Sequence, residues 1–155
     1  MIIAPPTLPY QASGVSFIAG RRLIVATTFE TPITLFKATS KSICWSVRNC
    51  FCWPSGESVV LSAYADAVIG NAGNPQVPVN LRIGSLTKPT GLVNSDPTAT
   101  SFGTYIASTK SSSTPTPSGN LLIVIDPGHS LLITATGSMD GVDIGIGYSW
   151  YELDP

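Results

Sequence analysis

Residues 121–155 read LLIVIDPGHSLLITATGSMDGVDIGIGYSWYELDP. In the last part of this stretch Val142, Ile144, Ile146, Tyr148 and Trp150 alternate with Asp143, Gly145, Gly147, Ser149 and Tyr151. That period of two belongs to a strand with one buried face, and its five large apolar side chains predict a place in the middle of a sheet. Gly145-Ile146-Gly147 therefore reads as strand with small residues on one face. It lacks the further glycine and the following helix of a nucleotide loop. Upstream, Leu121–Ile125 is an apolar run, Asp126-Pro127-Gly128 a turn and Leu131–Thr136 its expected partner strand, with a second turn over Gly137–Gly141.

Moving outward, the same signals recur. Gly14–Thr28 predicts one or two short strands around Gly20. Further strands are expected over Ile33–Thr39, Ile43–Trp53 and Val79–Ile83, with a short one at Tyr105, Ile106 and Ala107. Ser58–Ala67 reads as a buried strand, with a short helix as the alternative. Asn71–Pro78, Leu86–Gly103 and the low-complexity Lys110–Gly119 read as loop. About eight strands and no convincing helix predict an all-β fold: a single-domain antiparallel β-sandwich, jelly-roll-like, over residues 14–155. Residues 1–13, rich in proline, predict an extended N-terminal arm.

The composition agrees. The chain has 155 residues, 43% hydrophobic and 11% charged, against about 25% charged in average soluble proteins. Straight-chain polar residues, which a helix needs on its wet face, are scarce, whereas serine and threonine suit strands and turns. A surface so poor in charge suits a protein covered by neighbours. No apolar run is long enough for a membrane-spanning helix, and the N-terminus lacks the basic and apolar regions of a secretory signal. The net charge is −1. All the lysines and arginines precede residue 111, and the acids Asp126, Asp140, Asp143, Glu152 and Asp154 follow it. The two parts can attract each other within the fold or across a subunit contact. Arg21, Arg22, Lys37, Lys41 and Arg48 form no contiguous run and are not interleaved with aromatics, so no nucleic-acid partner is expected.

The chemistry-bearing residues are few. Cys44, Cys50 and Cys52 are an odd number, against a complete disulfide framework. In a strand Cys50 and Cys52 lie side by side. The three read as small buried hydrophobes, with a Cys44–Cys50 or Cys44–Cys52 bridge as the alternative. His129 is the single histidine. Asp126, His129 and Ser130 lie within one turn and cannot converge as a triad. Asp140, Asp143 and Ser138 read as a solvated hairpin tip. No catalytic residues, no metal site and no cofactor are expected, and the chain is not read as an enzyme.

The quoted C-terminal stretch, with its two apolar strands and its ending Tyr148-Ser149-Trp150-Tyr151-Glu152-Leu153, resembles the closing strands of small virion proteins of tailed bacteriophages. Segment 44–53, rich in cysteine and tryptophan, departs from that pattern. The resemblance carries no catalytic residues over. It implies a jelly-roll-like domain, usually a homotrimer, mounted on a capsid or tail. The expected function is that of a capsid decoration or cement protein, made in the host cytoplasm and bound on the virion surface at junctions of the major capsid protein, with no membrane partner. Ile2, Ile3, Pro5, Pro6, Leu8 and Tyr10 of the arm, with Arg21 and Arg22, are the candidate capsid or subunit interface. The alternative is a receptor- or carbohydrate-binding sandwich of a tail or head fibre, in which Trp45, Trp53, Trp150 or Tyr151 stacks on sugar. The alternating pattern makes Trp45 and Trp150 core residues instead.

Overall fold

The computed structural model describes residues 10, 13–26, 28–54, 56–112 and 122–155. Thirteen strands occur among them, numbered along the chain: β1 (Ser16–Val25), β2 (Thr31–Lys37), β3 (Ser42–Trp53), β4 (Ser58–Ala65), β5 (Val68–Asn71), β6 (Asn74–Pro75), β7 (Val79–Asn80), β8 (Leu92–Ser95), β9 (Thr98–Ser101), β10 (Thr104–Ser112), β11 (Leu122–Ile125), β12 (Ser130–Gly137) and β13 (Val142–Leu153). The alternating C-terminal run is β13, and it lies in mid-sheet as expected. It pairs with β1 on one side and β3 on the other, in the sheet β11-β3-β13-β1-β7. A second sheet, β10-β4-β12-β2-β8-β6, packs against it, and β5 and β9 form a separate ribbon. All the pairings are antiparallel. The protein is an all-β sandwich.

The core is where the inner faces meet. Trp45, Tyr148, Trp150 and Phe17 of the first sheet and Phe36 of the second are all fully buried. The Phe36 ring sits 5.6 Å from Trp45, 5.0 Å from Tyr148 and 5.7 Å from Trp150, each edge to face. That is the preferred geometry for rings with negative faces and positive edges. Thr34 Oγ1 and Tyr148 OH share a 2.9 Å hydrogen bond across the same gap. Burial raises the Tyr148 phenol well above its ordinary value, so it is a neutral member of that pair.

The structure corrects four expectations. Residues 121–125 and 131–136 are not partners: β11 pairs with β3 in the first sheet, and β12 with β2 and β4 in the second. The turn between them crosses the sandwich. It is tied to the end of β2, Gly128 N donating to Ala38 O and Ala38 N to His129 O. Crossing puts Ile125 in one wall of the core and Leu131 and Ile133 in the other. Secondly, the strand expected over Val79–Ile83 is only the two-residue β7, Val79–Asn80, and residues 81–84 are bend and turn. Thirdly, the stretch read as loop from 86 to 103 contains β8 and β9. These four-residue strands, rich in polar and small residues, are defined by the neighbours they pair with, β2 and β5. Fourthly, β10 continues through Ser112 into the segment read as loop. The rest of that low-complexity segment, 113–119, lies outside the described residues.

One end of the sandwich is closed by a buried carboxylate. Glu152 accepts hydrogen bonds from Thr90 N, Thr90 Oγ1 and Gly91 N, each at 2.9 Å. Three donors replace the water that the buried anion gives up. Gly91 allows the approach, because a Cβ there would come within 2.5 Å of Ile43 Cδ1. Replacing Glu152 by Ala orphans those donors and is expected to lower the unfolding free energy by about 1–3 kcal/mol. Urea denaturation of the variant beside the parent chain measures this.

Candidate interaction surface

The outer face of the first sheet is built from rows of paired residues, which share a face in an antiparallel sheet. One row is Val124, Cys44, Tyr151 and Ser16; the next is Leu122, Ser46, Ser149, Ile18 and Val79. Further along lie Phe51, Gly145 and Arg22, then Trp53, Asp143 and Ile24. The centre is therefore made of serine and glycine. The Phe51 ring lies over Gly145, where a Cβ would meet it at 3.0 Å. Small residues on this face of β13 were legible in its alternation. The flanks are apolar, with Leu122 and Val124 each 58% exposed.

Tyr10 reaches this face. Its ring stacks on Tyr151 with centroids 4.1 Å apart and planes 5° from parallel. Its carbonyl accepts from Val15 N at 3.1 Å and Ser13 Oγ at 3.0 Å, which ties it to the residues just before β1. Of the other arm residues expected at an interface, Ile2, Ile3, Pro5, Pro6 and Leu8 lie outside the described residues.

Arg21 and Arg22 point in different directions. Arg21 grips both carboxylate oxygens of Asp96 at 3.0 and 3.1 Å, and donates to Ile33 O at 2.9 Å, tying β1 to the second sheet. Arg22 lies on the outer face and binds Asp143 at 2.5 Å through Nη2. The guanidinium holds the Asp143 carboxyl below its ordinary value. Its Cζ also stands 4.9 Å from the Trp53 ring centre. Arg22–Asp143 and Lys41–Asp154, the latter at 3.6 Å, join the basic first part of the chain to its acidic last part within one subunit.

The cysteines are free and buried. Equal parity in sequence would put all three on one face. A bulge in β3, where the register passes from Val47–Tyr148 to Asn49–Gly147, reverses the phase. Cys50 and Cys52 consequently join the core beside each other, and Cys44 lies in the outer-face row with Tyr151. Burial pushes the Cys50 thiol up to about 11 and raises Cys44 and Cys52 as well. Thiolate is the reactive form, so a disulfide reagent at pH 8 is expected to label the native protein only slowly and to titrate three thiols at once in guanidinium.

His129 has a partner that sequence reading missed. Its Nδ1 is 2.8 Å from Asp66 Oδ2, and Ser130 N donates to Asp66 Oδ1 at 3.1 Å. Asp126, its neighbour in sequence, instead accepts from Ser42 Oγ. A lone aspartate more than sixty positions away carries no sequence signal. A second missed carboxylate is Glu30, which accepts from Tyr64 OH at 2.6 Å and Thr134 Oγ1 at 2.7 Å. The Tyr64 bond to Glu30 favours the neutral phenol and pushes it up to about 12. Among the described residues no group of three His, Cys, Asp or Glu is arranged to hold a metal ion.

A further concavity lies elsewhere, at the edge of the sandwich where β7 of one sheet meets β8 and β6 of the other. It is a groove of about 640 Å³ lined by Val77, Leu86, Leu92, Pro75, Pro78 and Pro89 among others. Val77 is 93% and Leu86 95% exposed. Its walls come from segments without regular alternation, so only the pairing of the short edge strands brings them together. Comparison of the chain with protein-family models, curated proteins and solved structures finds no match.

The His129–Asp66 pair has a definite pH signature. The hydrogen bond to Asp66 raises His129 above its ordinary 6.5, and the bonds from His129 and Ser130 lower Asp66 below its ordinary 3.8. The histidine's contribution to stability is full below 6.5 and is lost as the pH rises through its raised value. That of the aspartate is full above 3.8 and is lost as the pH falls through its lowered value. An NMR titration of the single imidazole is expected to give a midpoint above 6.5, and Asp66→Asn is expected to bring it down.

Proposed function

We propose that this chain is a structural protein of a tailed-phage virion, a decoration protein that binds at junctions of the major capsid protein on the capsid surface. It acts as a homotrimer and is made in the host cytoplasm. Two features of the fold support this reading. The long strands alternate between the sheets as β11-β3-β13-β1 against β10-β4-β12-β2. That order supports reading the sandwich as a jelly roll, an architecture used by viral capsid proteins and by lectins.

Architecture alone does not choose between those uses. The observation that carries the capsid reading is the Tyr10–Tyr151 stack. It fixes the described end of the arm to the outer face of the first sheet. Whatever residues 1–9 reach, they reach from a smooth face flanked by exposed apolar side chains. Ile2, Ile3 and Leu8 are apolar anchors in a segment that also holds Pro5, Pro6 and Pro9, and prolines lower the entropy lost when an arm is ordered.

The glycan-binding alternative rests on Trp53, 38% exposed. Trp45 and Trp150 are in the core, and Tyr151 is covered by Tyr10. Trp53 already carries the Arg22 guanidinium and the Phe51 ring, the latter 4.5 Å away edge to face. This crowding favours the capsid reading.

Deletion of residues 2–9 leaves Tyr10 in place and tests the arm. On particles of the phage that carries the gene, the full chain is expected to remain bound through gradient purification. The truncated chain, folded by circular dichroism, is expected to be lost from them. Equal retention of both overturns the arm as anchor, and absence of the full chain from particles overturns the capsid reading.

A further inference from the structure

We infer that copies of this chain assemble edge to edge, the apolar groove at residues 75–94 of one copy taking the β10/β11 edge of the next. The two surfaces lie at opposite ends of the strand orders: β7 and β6 end the sheets on one side, β11 and β10 on the other. The groove exposes Val77 and Leu86 almost completely. The opposite edge presents Leu122 and Val124 of β11 and Ile106, the bulged residue of β10. Ile106 and Val124 also line one shallow hollow at that edge. Each surface is a contiguous apolar area of the kind that marks an interaction site on a small soluble domain.

Charge and backbone select the pairing. From residue 67 to residue 95 the chain carries Arg82 and Lys88 and no acid. Lys88 lines the groove and makes no ion pair among the described residues. At the other edge the hollow beside Val124 is rimmed by Asp126, with Asp66 beyond it. The edge's own basic groups are Lys110, four residues along the strand from Ile106, Arg48, which lines a hollow with Leu122, and His129, which faces Asp66. A basic apolar groove and an acid-rimmed apolar ridge complement each other, whereas groove against groove would bring Lys88 to Lys88. Pro75, Pro78 and Pro89 lack the N–H that strand addition needs, so the groove is filled by side chains.

Surfaces on opposite sides cannot both be satisfied in a two-fold dimer. The contact is head to tail, which builds a ring where the rotation between copies closes and an open chain where it does not, and the homotrimer proposed above selects the ring. The inference rests on the self-association in the function proposed above. It is read on free protein, so it and particle retention can fail separately.

Light scattering on the eluting full-length protein is expected to give at least three times the 16.2 kDa chain mass. Val77→Asp with Leu86→Asp, and separately Leu122→Asp with Val124→Asp, are each expected to give single chains with an unchanged circular dichroism spectrum. Mixed, the two variants retain one good groove and one good edge between them, and a 1:1 pair is expected. A single-chain parent, a groove variant that still assembles, or a mixture that stays apart overturns the inference. Should either variant fail to fold, charge reversal provides the test. Lys88→Glu and Asp126→Lys are each expected to weaken assembly by about fivefold, and combined they should restore it. A double variant that stays weak overturns the pairing.

Discussion

Phe36 is the side chain on which the two sheets close. Its ring, from the second sheet, stands among the rings of Trp45, Tyr148 and Trp150, which belong to two adjacent strands of the first sheet. The hydrogen bond shared by Tyr148 OH and Thr34 Oγ1, two residues before Phe36 on β2, fixes the alignment. A ring can be moved only if its neighbours move, because close-packed interiors transmit displacement. The position of β2 over β3 and β13 follows from this contact, and the crossover turn at Gly128, tied to the end of β2, follows from the position of β2. Because successive long strands enter opposite sheets, few native contacts are local. Such topologies order late and together.

The low charge of the chain acquires a meaning in this frame. Several of its few ionic groups are spent on internal fastening: Arg21 on Asp96 and Ile33, Glu30 on Tyr64 and Thr134, Glu152 on the loop at Thr90 and Gly91. Around them the outer face of the first sheet and both sandwich edges expose apolar side chains, Leu122, Val124, Val77 and Leu86 among them, beside a few charges such as Arg22, Asp143, Lys88 and Asp126. A β-sandwich working alone in solution has little use for Val77, Ile83 and Leu86 at nearly full exposure. A subunit with neighbours does. Leu122 and Val124 flank the face that receives Tyr10 and also form part of the β11 edge, so the two proposed contacts adjoin each other.

Strand content was legible wherever residues were buried on one side. The alternation over 142–153 marked β13 and its mid-sheet place, and the parity of Trp45 and Trp150 marked them as core. The glycines between Asp143 and Ser149 marked a face without bulk. Parity failed at the cysteines, because a bulge near Arg48 shifts the phase by one residue and is set by pairing with β13. It failed again for β8 and β9, whose side chains carry no pattern because their order comes from β2 and β5. The partners of Arg21, His129 and Glu30 were invisible for a simpler reason: each is a single charge meeting another residue brought near by a different strand.

The sequence by itself determined that this is an all-β chain with one strongly apolar closing strand, a proline-rich beginning and a surface poor in charge. Those properties are local, written in a period of two and in composition, and they hold whatever the strands pair with. Only the tertiary structure decided that residues 121–125 and 131–136 part company across the core. It alone placed Cys44 outside and Cys50 inside, and made a groove from segments 75–94. Each of these depends on which strand lies beside which. That choice is made by the packing of Phe36, Trp45, Tyr148 and Trp150 in one shared interior, and no window of neighbouring residues contains it.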